Sequence, residues 1–123
     1  MAKPKIIAID DEAEFLDMIK SYFEPRGYDI MIANRGTKGI ELVKENKPDV
    51  VLIDLKMPGI DGDEVLSLLK SVVPSPKVIF VTAYDDGGKT KARLLKLGAY
   101  AYFDKPVSSL RELEEAVNKA AQS

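Results

Sequence analysis

Asp10, Asp11, Asp54, Thr82 and Lys105 are the residues of this chain best suited to chemistry, and each stands at or just beyond the end of a short apolar run. Clustered carboxylates repel one another, which either raises their pKa values or calls for a cation. The 123 residues include no cysteine and no histidine, so disulfides, iron–sulfur clusters and thiolate zinc sites are excluded. The commonest general base and transition-metal ligand is missing as well. Any metal must be hard and oxygen-bound, which points to Mg²⁺, with Mn²⁺ as the alternative. A lysine point charge and a threonine hydroxyl would complete a cradle for a phosphoryl group. Asp54 is the best-placed nucleophile, because carboxylates form aspartyl-phosphates and a metal can orient the transfer.

The elements that must position these residues are legible in the apolar pattern. Ile6–Ile9 stops at Asp10-Asp11, Val50–Ile53 at Asp54, Val78–Val81 at Thr82, and Tyr100–Phe103 at Asp104-Lys105. Continuous apolar runs of this length are the mark of buried parallel strands. A further strand over Tyr28–Ala33 ends at Asn34. Segments of helical spacing separate the strands. The first is stopped by Pro25 and Gly27, the second closes before Pro48, and the third covers about Glu64–Lys70. Gly98 caps the fourth, and Ser108 or Ser109 opens the fifth. Five βα repeats with right-handed crossovers give an α/β fold with a doubly wound parallel sheet. At this length the expected strand order is 2-1-3-4-5, a flavodoxin-like (βα)5 domain over residues 1–123. Strands one and three then lie together at the switch point. Lys105 lies two strands from Asp54, roughly 10 Å at sheet spacing, which a four-carbon stem can bridge.

Composition narrows the function further. A net charge of −2 gives no basic footprint for direct nucleic-acid binding. No apolar run approaches the ~20 residues of a membrane span. Met1–Lys5 leads into a strand and does not read as a signal peptide. A cytoplasmic protein without membrane contact is the expectation.

The motifs taken together resemble the receiver domains of bacterial two-component response regulators. The resemblance runs from about Lys5 to Ala120. It is carried by Ile9-Asp10-Asp11-Glu12, Leu52-Ile53-Asp54-Leu55-Lys56-Met57-Pro58-Gly59, Asp61-Gly62, Val81-Thr82-Ala83, Gly98-Ala99 and Asp104-Lys105-Pro106. It implies that Asp54 is the phosphoacceptor, and that Asp11 and Asp54 bind Mg²⁺ with the backbone carbonyl of Lys56. Asp10 would act mostly through water. Lys105 would pair with the phosphoryl group, Thr82 would bond to it and move, and Tyr102 would be the aromatic switch. Lys105-Pro106 would be a cis peptide. Lys56 and Tyr84, each two residues past a key position, would flank the route of a hydrolysing water and slow loss of the phosphoryl group.

The resemblance also implies partners. A sensor histidine kinase or a histidine phosphotransfer protein would donate the phosphoryl group, and a downstream protein would read the face of helix four, strand five and helix five. The domain would catalyse its own phosphorylation and dephosphorylation, and be an enzyme only in that sense. The set Asp54, Lys56, Thr82, Tyr84 resembles stand-alone phosphorelay intermediates of the family; a receiver cut from a longer regulator or hybrid kinase is the alternative. A phosphatase of the haloacid dehalogenase type would want an acid two residues after Asp54, where Lys56 stands. A flavodoxin-like flavin binder would need a Ser/Thr-rich loop where Asp11-Glu12 stands. Asp63 departs from the family, which more often has an apolar residue there. Asp85 and Asp86 read as loop solvation.

Overall fold

The computed structural model describes residues 3–123. In chain order it contains β1 (Lys5–Ile9), α1 (Ala13–Phe23), β2 (Asp29–Ala33), α2 (Gly36–Asn46) and β3 (Val50–Ile53). These are followed by α3 (Gly62–Leu69), β4 (Lys77–Thr82), α4 (Lys89–Lys96), β5 (Ala101–Asp104) and α5 (Leu110–Ala121). All strands are parallel, in the order β2-β1-β3-β4-β5. This is the doubly wound arrangement expected from the sequence.

Burial explains the apolar runs. Ile7 and Ile9 of β1 face one core with Val43, Val65, Leu66, Leu69 and Leu94 from α2, α3 and α4. Ile6 and Ala8 face the other, with Leu16, Ile19, Phe23, Leu113 and Val117 from α1 and α5. A strand covered on both faces has no side left for polar residues. One expectation needs correction. β5 is not a buried strand: its four residues are half-buried or exposed, and Asp104 lies within it instead of beyond it. Among the described residues it pairs only with β4, so as an edge strand it keeps one side open to solvent.

Helix ends follow local chemistry. α1 gives way to a 3-10 turn at Glu24–Arg26 and then to Gly27, whose φ of 93° is left-handed and suits glycine. Ser109 caps α5, its Oγ accepting from the Glu112 N–H at 3.1 Å. Asp86, expected as loop solvation, has a structural task. Its carboxylate accepts from the Thr90 N–H at 3.0 Å and the Thr90 hydroxyl at 2.6 Å. It thereby anchors the first turn of α4, whose N-cap, Gly88, has no side chain to do so.

α1, β2 and α5 are also tied by a polar cluster. Glu114 accepts from the Tyr22 hydroxyl at 2.8 Å and the Tyr28 hydroxyl at 2.7 Å, and Asn118 donates to the Tyr28 hydroxyl at 2.8 Å. Burial pushes the Glu114 carboxyl upward, but the two phenol hydrogen bonds outweigh it and hold the group below its usual 4.5. A depressed carboxylate stabilises the fold above its unfolded pKa, and that stability is lost as pH falls through the folded value. Glu114→Gln is expected to cost on the order of 1 kcal/mol at pH 7. The deficit should shrink as the pH is lowered below the ordinary carboxyl range. Urea melts of both proteins across pH 3–7 check this; a deficit independent of pH would contradict it.

Candidate functional site

The hydrogen-bond ladder continues past the strand ends and fixes the site residues in register. Asp10 N–H donates to Ala33 O at 3.1 Å, Asp54 N–H to Ile9 O at 3.1 Å, and Lys105 N–H to Thr82 O at 2.9 Å. The carboxyl ends of β1, β3, β4 and β5 therefore converge on one crevice. Gly62, the first residue of α3, lets that helix press against the Asp54 turn. Its N–H donates to Leu55 O at 2.7 Å. A Cβ at Gly62 would collide with the Asp54 carbonyl and lie 2.9 Å from the Phe80 ring, so only glycine allows this approach.

Charge is concentrated around one ammonium. Lys105 Nζ contacts Asp10 Oδ2 at 2.7 Å, Glu12 Oε1 at 2.5 Å and Asp54 Oδ2 at 3.2 Å. From β5 it reaches not only Asp54 but β1, three strands away. The Phe15 ring, 4.4 Å from Nζ to its centroid, closes another side. Burial by itself would pull the Lys105 pKa down, but its hydrogen bonds to Asp10 and Glu12 and the field of Asp10 and Asp54 raise it above its usual value. The lysine is a fixed cation. Asp10 is 1% exposed. Its desolvation raises the carboxyl pKa against the lowering effect of Lys105 and the Glu12 N–H.

A second chain of contacts leads away from the crevice. Thr82 is 1% exposed, and its Oγ1 accepts from the Tyr84 N–H at 3.2 Å. The Tyr84 carbonyl accepts from the Tyr102 hydroxyl at 2.8 Å. Tyr102 also packs near Phe80, with ring centroids 6.4 Å apart. Thr82 and Tyr102 are thus linked through one residue of main chain. The Tyr84 ring lies 5.0 Å from Lys56 Nζ, so the two side chains picked out beyond Asp54 and Thr82 touch each other. The Lys105–Pro106 peptide is cis.

Not every residue expected at the crevice has its side chain there. Asp11 is exposed and lines a cleft with Asn34 and Lys38 beside β2. The third carboxylate that joins Asp10 and Asp54 is Glu12, and one oxygen from each of the three lies within 4.8 Å of the others. Spacing did not single out Glu12; its only sequence signal is adjacency to the acidic pair. Asp63, unexplained by the sequence, meets Arg93 at 3.3 Å and links α3 to α4.

These residues suit a hard divalent cation. Asp54 is 8% exposed, and its Oδ1 is a buried oxygen with no hydrogen-bond partner among the described residues. An orphaned anionic oxygen of this kind is costly unless a cation meets it. The neighbouring Asp10 and Asp54 carboxylates, with no nitrogen or sulfur ligand beside them, match the oxygen preference of Mg²⁺. Among the described residues no helix is long and apolar enough to cross a membrane.

Comparison with known proteins agrees with this geometry. The profile of the response regulator receiver domain family matches residues 6–118. Sporulation initiation phosphotransferase F of Bacillus subtilis is 33% identical over 119 residues, covering 97% of this chain and 94% of the relative. Among solved structures, a response regulator receiver domain protein from Clostridium thermocellum superposes with a TM-score of 0.86 at 36% identity, covering 98% of this chain and 95% of that one. The receiver domain of a Francisella response regulator gives 0.88 at 33% identity and covers 98% of both chains.

Proposed function

Because the chain belongs to the response regulator receiver domain family, we propose that Asp54 accepts a phosphoryl group from a phosphohistidine on a partner and that Thr82 and Lys105 respond to it. The domain is a phosphoacceptor switch. The observation that carries the residue assignment is the Lys105 ammonium, seated against Asp54 and Asp10 at the carboxyl edge of the sheet. An Asp54 carboxylate oxygen attacks phosphorus, and the P–N bond to the donor imidazole breaks, its electron pair returning to nitrogen. Lys105 remains protonated and balances the charge on the phosphoryl oxygens. Hydrolysis reverses the loading: a water oxygen attacks phosphorus, the P–O bond to Asp54 breaks, and the carboxylate is restored as inorganic phosphate leaves. Mg²⁺, or Mn²⁺ in its place, would be held by Asp54 and Asp10 with the Lys56 carbonyl, and by Asp11 once its side chain turned in from the cleft beside β2, and would supply positive charge to the transferring group.

A phosphoryl group brings up to about two negative charges and three acceptor oxygens. Thr82 moves to it, gives up the Tyr84 N–H, and the Tyr102 hydroxyl loses its fixed partner. Reversing a 1:99 equilibrium needs about 5.5 kcal/mol, and two charge-assisted contacts at ~1.5–3 kcal/mol each are of that order. Gly87 and Gly88, both at left-handed φ, give α4 a pliable start. The partners are a sensor histidine kinase or a histidine phosphotransfer protein upstream, and a protein reader of α4, β5 and α5 downstream. The likeness to a sporulation initiation phosphotransferase supports a relay role. The assigned setting is cytoplasmic, with residues 1–123 forming one receiver domain.

Incubation with Mg²⁺ and acetyl phosphate, followed by intact mass, tests the central claim. One phosphoryl adduct is expected, and no adduct with any acyl-phosphate or phosphohistidine donor would overturn it. Lys56 and Tyr84 should set its lifetime, since they stand two residues beyond Asp54 and Thr82 and their side chains meet, Nζ to ring centroid 5.0 Å. Lys56→Ala and Tyr84→Ala are each expected to speed decay about fivefold, equivalent to ~1 kcal/mol at the barrier. The double variant should fall short of the product, because the two side chains act as a pair. Unchanged half-lives would remove them from the mechanism.

A further inference from the structure

We propose that Glu12 is a placeholder for the phosphoryl group: it occupies a donor of Lys105 in the unphosphorylated protein and is released when the group arrives. The inference rests on Asp54 being the acceptor. An ammonium has three N–H donors, and those of Lys105 have three carboxylate partners, Asp10, Glu12 and Asp54. The lysine side chain is only 10% exposed, so an arriving phosphoryl oxygen must displace one of these partners.

The three differ sharply in what release would cost. Asp10 is buried, and its other oxygen is held by the Glu12 N–H at 2.8 Å. Asp54 bears the group itself. The Glu12 side chain is 61% exposed, so its carboxylate can leave Lys105 and be solvated at once. Position 12 is the N-cap of α1, yet its side chain makes no capping hydrogen bond; the contact with Lys105 is its visible task. Glu12 and a phosphoryl group carry the same sign of charge and want the same donor, so they exclude each other. Glu12 thereby opposes loading. It is a positioning residue, acting through Lys105.

Acetyl phosphate is a suitable probe: Asp54 oxygen bonds to phosphorus as the P–O bond breaks, and the electron pair leaves with acetate. Loading rates of wild type, Glu12→Gln and Glu12→Ala are compared by intact mass at saturating Mg²⁺, alongside Mg²⁺ affinity by calorimetry and thermal midpoints. Glu12→Ala is expected to load about two- to fivefold faster, in line with loss of one partly exposed ion pair, with Glu12→Gln between. Thermal midpoints should stay close to wild type, which a purely structural role would not allow. Unchanged loading overturns the proposal. So does slower loading with Mg²⁺ affinity weakened more than tenfold, which would make Glu12 a metal ligand. A wild-type protein that takes up no phosphoryl group overturns the Asp54 reading and this proposal with it, whereas normal wild-type loading with an indifferent Glu12→Ala overturns this proposal alone.

Discussion

Asp54→Ala is expected to take up no phosphoryl group from acetyl phosphate, while its thermal midpoint stays at or above that of wild type. The loss should be complete because no neighbour can substitute. Asp10 is 1% exposed, and both its oxygens are engaged, by Lys105 and by the Glu12 N–H. Stability should not suffer, because Asp54 gives the fold little. One of its oxygens has no partner among the described residues, and the other meets Lys105 at 3.2 Å, the longest of that lysine's three ion contacts. Its removal relieves repulsion with Asp10 and the desolvation of a charge. Intact mass and a thermal melt check both halves. A phosphoryl adduct on Asp54→Ala would move the acceptor elsewhere, and a large fall in the midpoint would show that the site is not built at the expense of stability.

Lys105→Ala should have the opposite character, with a severe loss of stability in metal-free buffer. Truncation leaves Asp10 and Asp54 as buried carboxylates with no cation, and breaking a buried pair from one side costs about 3–5 kcal/mol. Relaxation by proton uptake would bring the figure toward the lower end. Added Mg²⁺ should restore much of the loss, because binding to the folded state alone stabilises it by mass action. Wild type, already neutralised in part by Lys105, should gain less from the ion. Urea denaturation of both proteins with Mg²⁺ and with a chelator reads this directly. Equal stabilities in chelator, or no larger gain from Mg²⁺ in the variant, would contradict it.

The strands were readable because β1 and β3 are buried on both faces and must be apolar throughout, a constraint that leaves a plain trace in Ile6–Ile9 and Val50–Ile53. β5 misled because Tyr102 and Phe103 are apolar on an edge strand, where burial is partial; residue type records hydrophobicity, not how much of it is covered. Sheet spacing puts Lys105 within reach of Asp54, yet its extension to Asp10 depends on the path of a flexible side chain. Asp11 and Glu12 are neighbours in one turn, and spacing alone cannot say which carboxylate faces the crevice. The pairing of Asp63 with Arg93 and the grip of Asp86 on Thr90 depend on how the loops before α3 and α4 bring their residues together. No periodic pattern records such contacts.

Tyr84 meets Thr82 and Tyr102 only through its backbone: its N–H donates to one and its carbonyl accepts from the other. Its ring meanwhile lies 5.0 Å from Lys56 Nζ. If the proposed roles hold, duration and wiring are held by different atoms of a single residue. Exchange of the side chain would then lengthen or shorten the life of the signal while the route from threonine to tyrosine stays intact. Proline is the exception, since it deletes the N–H and cuts the route itself. A lineage could retune the clock of this switch through position 84 without renegotiating what the switch is connected to.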